Sequence, residues 1–189
     1  MVWLRRAKTL LLTMRHCRNW LPLVANRAGL PCRPSQVARR DGLVLAFSGG
    51  LRCHWGQIFE AAVADVYEVT SAVPELILDV GGNIGGFSCF AAWMHRGARV
   101  HAFEPQADEA AAFRANVERN GLTNVILHET LVTRDGREVT FYENPANRGA
   151  SSMFFGEASG RKRGSVSLDW VPLSTARSLF VKLDCEGSE

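Results

Sequence analysis

Apolar positions recur along the chain at two spacings, and the switches between them outline its elements. In WGQIFEAAVADVYEV (55–69), Ile58, Phe59, Ala62, Val63, Val66 and Tyr67 keep helical spacing, which predicts a helix. ELILDV (75–80) is a short apolar run that reads as a buried strand ending at Asp79 and a glycine-rich turn. FSCFAAWMHRG (87–97) predicts a helix stopped by Gly97, and ARVHAFEP (98–105) a strand closed by Pro105. DEAAAFRANVERNG (108–121) predicts a helix from an Asp cap to an Asn-Gly stop, burying Phe113 and Val117. NVILHETLVT (124–133) follows as a third strand of this series.

The flanks are less regular. Residues 1–40 read as one or two basic helices broken around Gly29, Pro31 and Pro34, and DGLVLAFSGG (41–50) as a short strand. Asp135-Gly136 makes a turn into REVTFYEN (137–144), an antiparallel strand. Between Pro145 and Ser165 the pattern dissolves into Gly, Ser, Arg and Asn, as in a long functional or mobile loop. SVSLDWVPL (165–173) and LFVKLDCE (179–186) read as further strands. Strands alternating with helices imply an α/β fold: a parallel, Rossmann-like sheet with helices on both faces. Ligands in such folds bind beyond the carboxyl ends of the strands, near the switch point beside the first one.

Charge divides the 189 residues unevenly. Residues 1–40 hold nine Lys/Arg and no acidic residue; the other 149 hold 13 basic and 19 acidic residues, a net of −6. The expected organisation is therefore a basic N-terminal helical segment (1–40) joined to a mildly acidic sheet domain (41–189). Five cysteines, an odd number without a CxxC pair, fit a reducing cytoplasmic setting. No window approaches the ~20 apolar residues of a membrane span. MVWLRRAKTLLLTMRHCRNWLPL (1–23) is interrupted by Arg15, His16 and Arg18 and has no small-residue cleavage site. A packed helix is the first reading of it, and an interfacial helix making peripheral membrane contact the alternative.

The chemistry concentrates in LDVGGNIGGF (78–87), where a strand turns into a helix through Gly81, Gly82, Gly85 and Gly86. A dinucleotide fingerprint, G-x-G-x-x-G, aligned on Gly81 and Gly86 would need glycine where Asn83 stands. Asp79, just before the turn, would also oppose a pyrophosphate. A cationic ligand suits it better, and S-adenosylmethionine (AdoMet) carries a sulfonium and an ammonium but no phosphate. Glu104, at the end of the next strand, could accept both hydroxyls of a ribose. That feature points to a nucleoside without choosing between NAD and AdoMet.

LDVGGNIGGFS, AFEP, NVERNGLTNV and VKLDCEGSE, in that order, resemble the FkbM-type methyltransferases, a branch of the class I AdoMet-dependent enzymes. ASSM (150–153), after Asn147 and Gly149, is similar to a G-x-S-S-[LM] stretch of that group. The resemblance covers roughly 41–189. It implies that Asp79, Gly81, Asn83 and Gly85 hold the methionine part of AdoMet, that Glu104 holds the ribose, and that Glu129 or Thr130 lies toward the adenine. It also implies that VKLDCEGSE is the fourth strand, next to the first, with its end beside the methyl donor. Lys182, Asp184 and Glu186 share one face of that strand, Leu183 and Cys185 the other. Asp184, and after it Glu186, is the expected catalytic carboxylate, binding the acceptor or taking its proton.

The implied reaction is O-methylation of a small-molecule or glycan acceptor, such as a sugar or secondary-metabolite hydroxyl. The alternative is a non-catalytic or degenerate nucleoside-binding fragment. No His/Cys/Asp spacing suggests a metal. Nucleic acid is not the expected partner, because the basic segment lacks interleaved aromatics beyond Trp3 and Trp20 and the body offers no basic cleft. The class I fold has three more strands after the fourth, with no counterpart in this sequence. LFVKL is therefore expected at a sheet edge, in a fragment of a longer enzyme or one completed by a partner or oligomer.

Overall fold

A computed structural model describes residues 2–47, 51–142, 161–169, 171 and 176–184 of the chain. Two helices open it, α1 (Val2–His16) and α2 (Trp20–Arg27). A strand falls at the end of the segment expected to be helical: β1 (Gln36–Ala38) pairs antiparallel with β2 (Val44–Ala46), Val37 opposite Leu45. The connection turns at Gly42, whose φ of +106° is open to glycine and strained for other residues. Strand β1 was hidden because Gln36–Ala38 is too short to show a period of two. Cys17, Leu23 and Val37 share one apolar core with Ile58, Phe87, Phe90 and Val100. The basic segment is thus packed on the sheet domain.

α3 (Leu51–Ile58) continues through a wider π turn at Phe59–Val63, where the helix ends. The predicted helix ran on to Val69. Asp65, at φ +46°, instead accepts hydrogen bonds from the Val69 and Thr70 N–H groups at 2.9 and 3.1 Å. These side-chain-to-backbone bonds, reaching four and five residues on, win over apolar spacing. They free Tyr67 to lie edge-on against Phe87, ring centroids 5.3 Å apart.

The central sheet comprises β3 (Leu76–Val80), β4 (Arg99–Phe103), β5 (Val125–His128) and a last strand at Leu179–Leu183, parallel throughout and ordered last-β3-β4-β5. Period two along each strand separates the faces. Ile77, Val100 and Ala102 meet α4 (Gly86–Met94) and the rest of the main core. Leu76, Leu78, Val80 and Phe103 face the other way, toward Val171, Val166 and Leu168. Among the described residues every helix lies on the first face, and the second is covered by extended chain. α5 (Ala107–Arg119) starts after Gln106, so Asp108 lies inside its first turn and is not its cap.

The segment predicted as one strand at 124–133 is two. The chain leaves the sheet at Glu129 and Thr130, and β6 (Leu131–Val132) resumes beside another strand. β7 (Val139–Phe141) pairs antiparallel with β8 (Arg161–Arg163), and β9 (Ser165–Val166) runs parallel to β6. The end of the expected 145–165 loop is therefore strand. Residues 143–160, with ASSM, lie outside the described residues. The last strand, β10 (Leu179–Leu183), pairs with β3 alone among the described strands. Its Leu179, Val181 and Leu183 are 43%, 44% and 55% exposed, so one face and one edge of it are open, as expected.

Candidate functional site

The switch point lies between β3 and β10, where the sheet order reverses. Lys182 is in register with Asp79, and the Asp184 N–H continues the ladder to the Val80 carbonyl at 3.1 Å. Two acidic strand ends thus meet side by side under the glycine turn.

That turn is held from below and behind. The Gly81 and Gly82 N–H groups both donate to the Phe103 carbonyl, at 3.1 and 2.9 Å. Gly81 and Gly85 have φ of +87° and +82°, and Asn83 takes φ +49° with its Oδ1 accepting the Ile84 N–H. A Cβ on Gly85 would lie 2.3 Å from the Phe113 ring, and one on Gly82 2.8 Å from it. These two glycines let α5 pack under the turn. Gly85, expected at the cofactor, has a packing role as well, since its missing side chain makes room for Phe113.

Asp79 is fully buried. Its Oδ2 accepts the Ser88 hydroxyl at 2.6 Å and its Oδ1 the Lys182 ammonium at 3.0 Å. Lys182 Nζ also donates to the Gly81 carbonyl at 3.2 Å and lies 3.6 Å from Asp184 Oδ2. Burial alone would lower the Lys182 pKa. The charge and hydrogen bond of Asp79, with Asp184 and Tyr67, outweigh it and raise the pKa above its usual range. Tyr67 completes the group by donating to Asp184 Oδ2 at 3.2 Å. Burial, outweighing the Lys182 charge, pushes its phenol up to about 12, so it remains a donor at neutral pH.

Glu104 closes the other side of the turn. Its Oε2 accepts the Asn83 N–H and its Oε1 the Gln106 N–H, each at 2.8 Å. Burial raises its pKa to about 7 against the opposing pull of these two hydrogen bonds, with Glu109 and Asp79 adding like charge.

A cleft opens over these groups, lined by Tyr67, Gly81, Gly82, Asn83, Lys182 and Asp184 with their neighbours. Asp79 reaches it only through Lys182, so the carboxylate expected to suit a cationic ligand already carries a lysine partner. The formal charge is nonetheless −1, from Asp79, Lys182 and Asp184 together. Glu129 and Thr130 are not brought to this cleft. Glu129 pairs with Arg114 and is about half exposed; Thr130 Oγ1 bonds the Leu131 and Gly164 carbonyls. Glu186 lies outside the described residues.

Lys182, Tyr67 and Ser88 were given no role from the sequence. Lys182 was placed on the strand face of Asp184, but that it lies opposite Asp79 follows only once the strands are paired in parallel. Tyr67 gave no such signal, because it sits in the segment read as helix.

No protein-family model matches the chain. Over 89 residues it is 37% identical to 31-O-demethyl-FK506 methyltransferase FkbM of Streptomyces tacrolimicus, a match spanning 47% of this chain and 33% of that protein. The motif-based resemblance to the FkbM-type methyltransferases thus has a counterpart in a named relative, over about a third of that relative's length. Among solved structures, precorrin-6y C5,15-methyltransferase of Geobacter metallireducens aligns with 35% of each chain at 21% identity and a TM-score of 0.33. The O-methyltransferase TomG of Streptomyces achromogenes aligns over 59% of this chain and 44% of its own at 16% identity, with a TM-score of 0.33.

Proposed function

We propose that this chain forms the cofactor-binding part of an AdoMet-dependent methyltransferase that O-methylates a sugar or secondary-metabolite hydroxyl. The observation that carries the reading is the meeting of Asp79, Lys182 and Asp184 under a left-handed glycine turn, with Glu104 at the neighbouring strand end. The donor set fits the cofactor in charge: Asp79, Lys182 and Asp184 sum to −1 before any charge on Glu104, and face a ligand whose sulfonium, ammonium and carboxylate sum to +1. The backbone of Gly81 and Asn83, with Lys182 and Asp184, would hold the methionine part, and Glu104 the ribose hydroxyls. When bound, AdoMet supplies an electrophilic methyl group.

The chain's own residues do the rest. Asp184 receives the proton of the acceptor hydroxyl, which makes the oxygen nucleophilic. Tyr67 and Lys182 fix the Asp184 carboxylate, so it points into the cleft without first having to be ordered. Lys182 also neutralises Asp79, which keeps a second free carboxylate from the methyl-transfer path. The FkbM similarity and the four ordered motifs support the same reading. Among the described residues no helix is long and apolar enough to cross a membrane. We propose a cytoplasmic setting, with which the buried thiols of Cys17 and Cys89 agree.

Titration calorimetry of the chain with AdoMet, S-adenosylhomocysteine and NAD tests the cofactor. Saturable binding of the first two and none of NAD is expected; preference for NAD, or no binding at all, overturns it. Transfer of labelled methyl from AdoMet into a polar metabolite extract tests the reaction. AdoMet binding without transfer would favour the non-catalytic alternative.

A further inference from the structure

The outer face of α1 is apolar where a packed helix is ordinarily polar. Ala7, Leu10, Leu11 and Met14 recur at i, i+3, i+4 and i+7, and all four are exposed, Leu11 at 65%. Toward the protein the helix buries Thr13, whose Oγ1 donates to the Thr9 carbonyl at 2.7 Å, with Leu12 and His16 half-buried alongside. The stripe that usually drives docking onto a core therefore faces solvent. Lys8 and Arg15, both exposed, flank it; Arg18 follows at the helix end, and α2 adds Leu21 at 62% exposed.

Apolar surface and positive charge coincide here, and the coincidence selects a partner. A second copy docking through its own α1 would set its Lys8, Arg15 and Arg18 against the same three exposed cations. Nucleic acid would match the charge but leave the leucine stripe in water. An anionic lipid surface answers both, taking Leu10, Leu11 and Met14 among its acyl chains and Lys8, Arg15 and Arg18 at its headgroups. The charge split supports this: the basic surface belongs to the N-terminal segment, while the remainder is net −6 and would be held off an anionic bilayer.

We propose that α1 lies flat on anionic lipid bilayers, making the protein a peripheral membrane protein. The proposal stands independently of the methyl-transfer reading. Its test is sedimentation of the full 189-residue chain with sucrose-loaded vesicles of phosphatidylcholine alone, or with one-third phosphatidylglycerol. Pelleting with the mixed vesicles and not with phosphatidylcholine alone is expected. Leu10→Gln/Leu11→Gln should weaken it on the order of tenfold or more, with an unchanged melting temperature because both positions are exposed. Lys8→Gln/Arg15→Gln/Arg18→Gln should abolish the preference for phosphatidylglycerol. No pelleting with the mixed vesicles, or pelleting indifferent to the leucine changes, overturns the proposal. So does equally strong binding to polyuridylate, or a dimer in solution that the leucine changes dissolve.

Discussion

Lys182 and Asp79 stand 103 residues apart in the chain and 3.0 Å apart in the fold, with side chains 6% and 0% exposed. Such a pair contributes little relative to a well-packed apolar one, but it is costly to break from one side. Lys182→Met would leave the Asp79 carboxylate buried with the Ser88 hydroxyl as its remaining side-chain donor. A loss of roughly 3–5 kcal/mol in urea unfolding is expected, and Asp79→Asn in the same chain should recover part of it. The raised Lys182 pKa sets the pH window. Its stabilisation is complete below the unfolded lysine value of 10.5 and fades as pH rises through the higher folded value. Wild-type stability should therefore fall above that pH more steeply than that of the double variant.

Asp184 and Tyr67 separate binding from chemistry. Asp184→Asn keeps the size of the side chain but cannot take a proton, so methyl transfer should be abolished even at AdoMet concentrations that saturate the variant, whatever affinity the lost charge costs. Tyr67→Phe removes the hydroxyl that orients Asp184 and should lower kcat by roughly tenfold, with a smaller effect on KM. Full turnover by Asp184→Asn in the labelled-methyl assay would end its assignment as the base.

Glu104 predicts a pH dependence of the same sign in a lower window. An acid whose folded pKa is raised by burial binds protons on folding. Its protonated form adds stability that is complete below the ordinary carboxylate value and is lost as pH rises toward about 7. The change attributable to this residue is on the order of 3 kcal/mol between those limits. Urea titrations from pH 4 to pH 8 should show the decline in the wild type and a smaller one in Glu104→Gln (pH limits chosen to bracket the roughly 4–7 window). AdoMet affinity should rise over the upper part of this interval, as Glu104 gains the charge that attracts ribose hydroxyls.

Gly82 and Gly85 differ in why they must be glycine. At Gly82 an added Cβ is crowded by the Phe113 ring, 2.8 Å away, with the Phe103 carbonyl at ordinary contact distance. Gly82→Ala should cost about 1–3 kcal/mol, and Phe113→Leu in the same chain should relieve some of it. At Gly85 the contact is 2.3 Å and φ is +82°, so Gly85→Ala should cost more and gain less from the same relief. Thermal unfolding of the four variants gives the comparison directly.

The parallel sheet was legible because its signals are local. LILDV is buried at all five positions, RVHAF at four of five, and each reads as a continuous apolar strand between helix patterns. That α4 and α5 are helices likewise followed from apolar spacing, although α4 ends at Met94, short of Gly97, and α5 starts ahead of Asp108. Attachments to distant partners were not legible, even for β2, which falls inside the stretch read as a strand. β2 is held by two asparagines on α5: Asn116 and Asn120 accept the Ala46 and Val44 N–H groups at 2.8 Å each and donate back to the same residues' carbonyls. Nothing in the composition of either segment announces that clamp. The break at Glu129 and Thr130 was missed for the same reason, since β6 pairs with a strand more than thirty positions later.

By itself the sequence determined the order of strands and helices, the glycine turn, and the carboxylates at the strand ends. These depend on side-chain period and on backbone preferences that act within a few residues. Only the tertiary structure decided which charges face one another. Parallel register set Lys182 on Asp79 and carried Asp184 to Tyr67, turning an expected row of bare carboxylates into a compensated cluster. Packing likewise decided that α1 keeps Leu10 and Leu11 outside. Hydrophobic spacing identifies an apolar face, but what that face meets depends on which other surfaces are already buried.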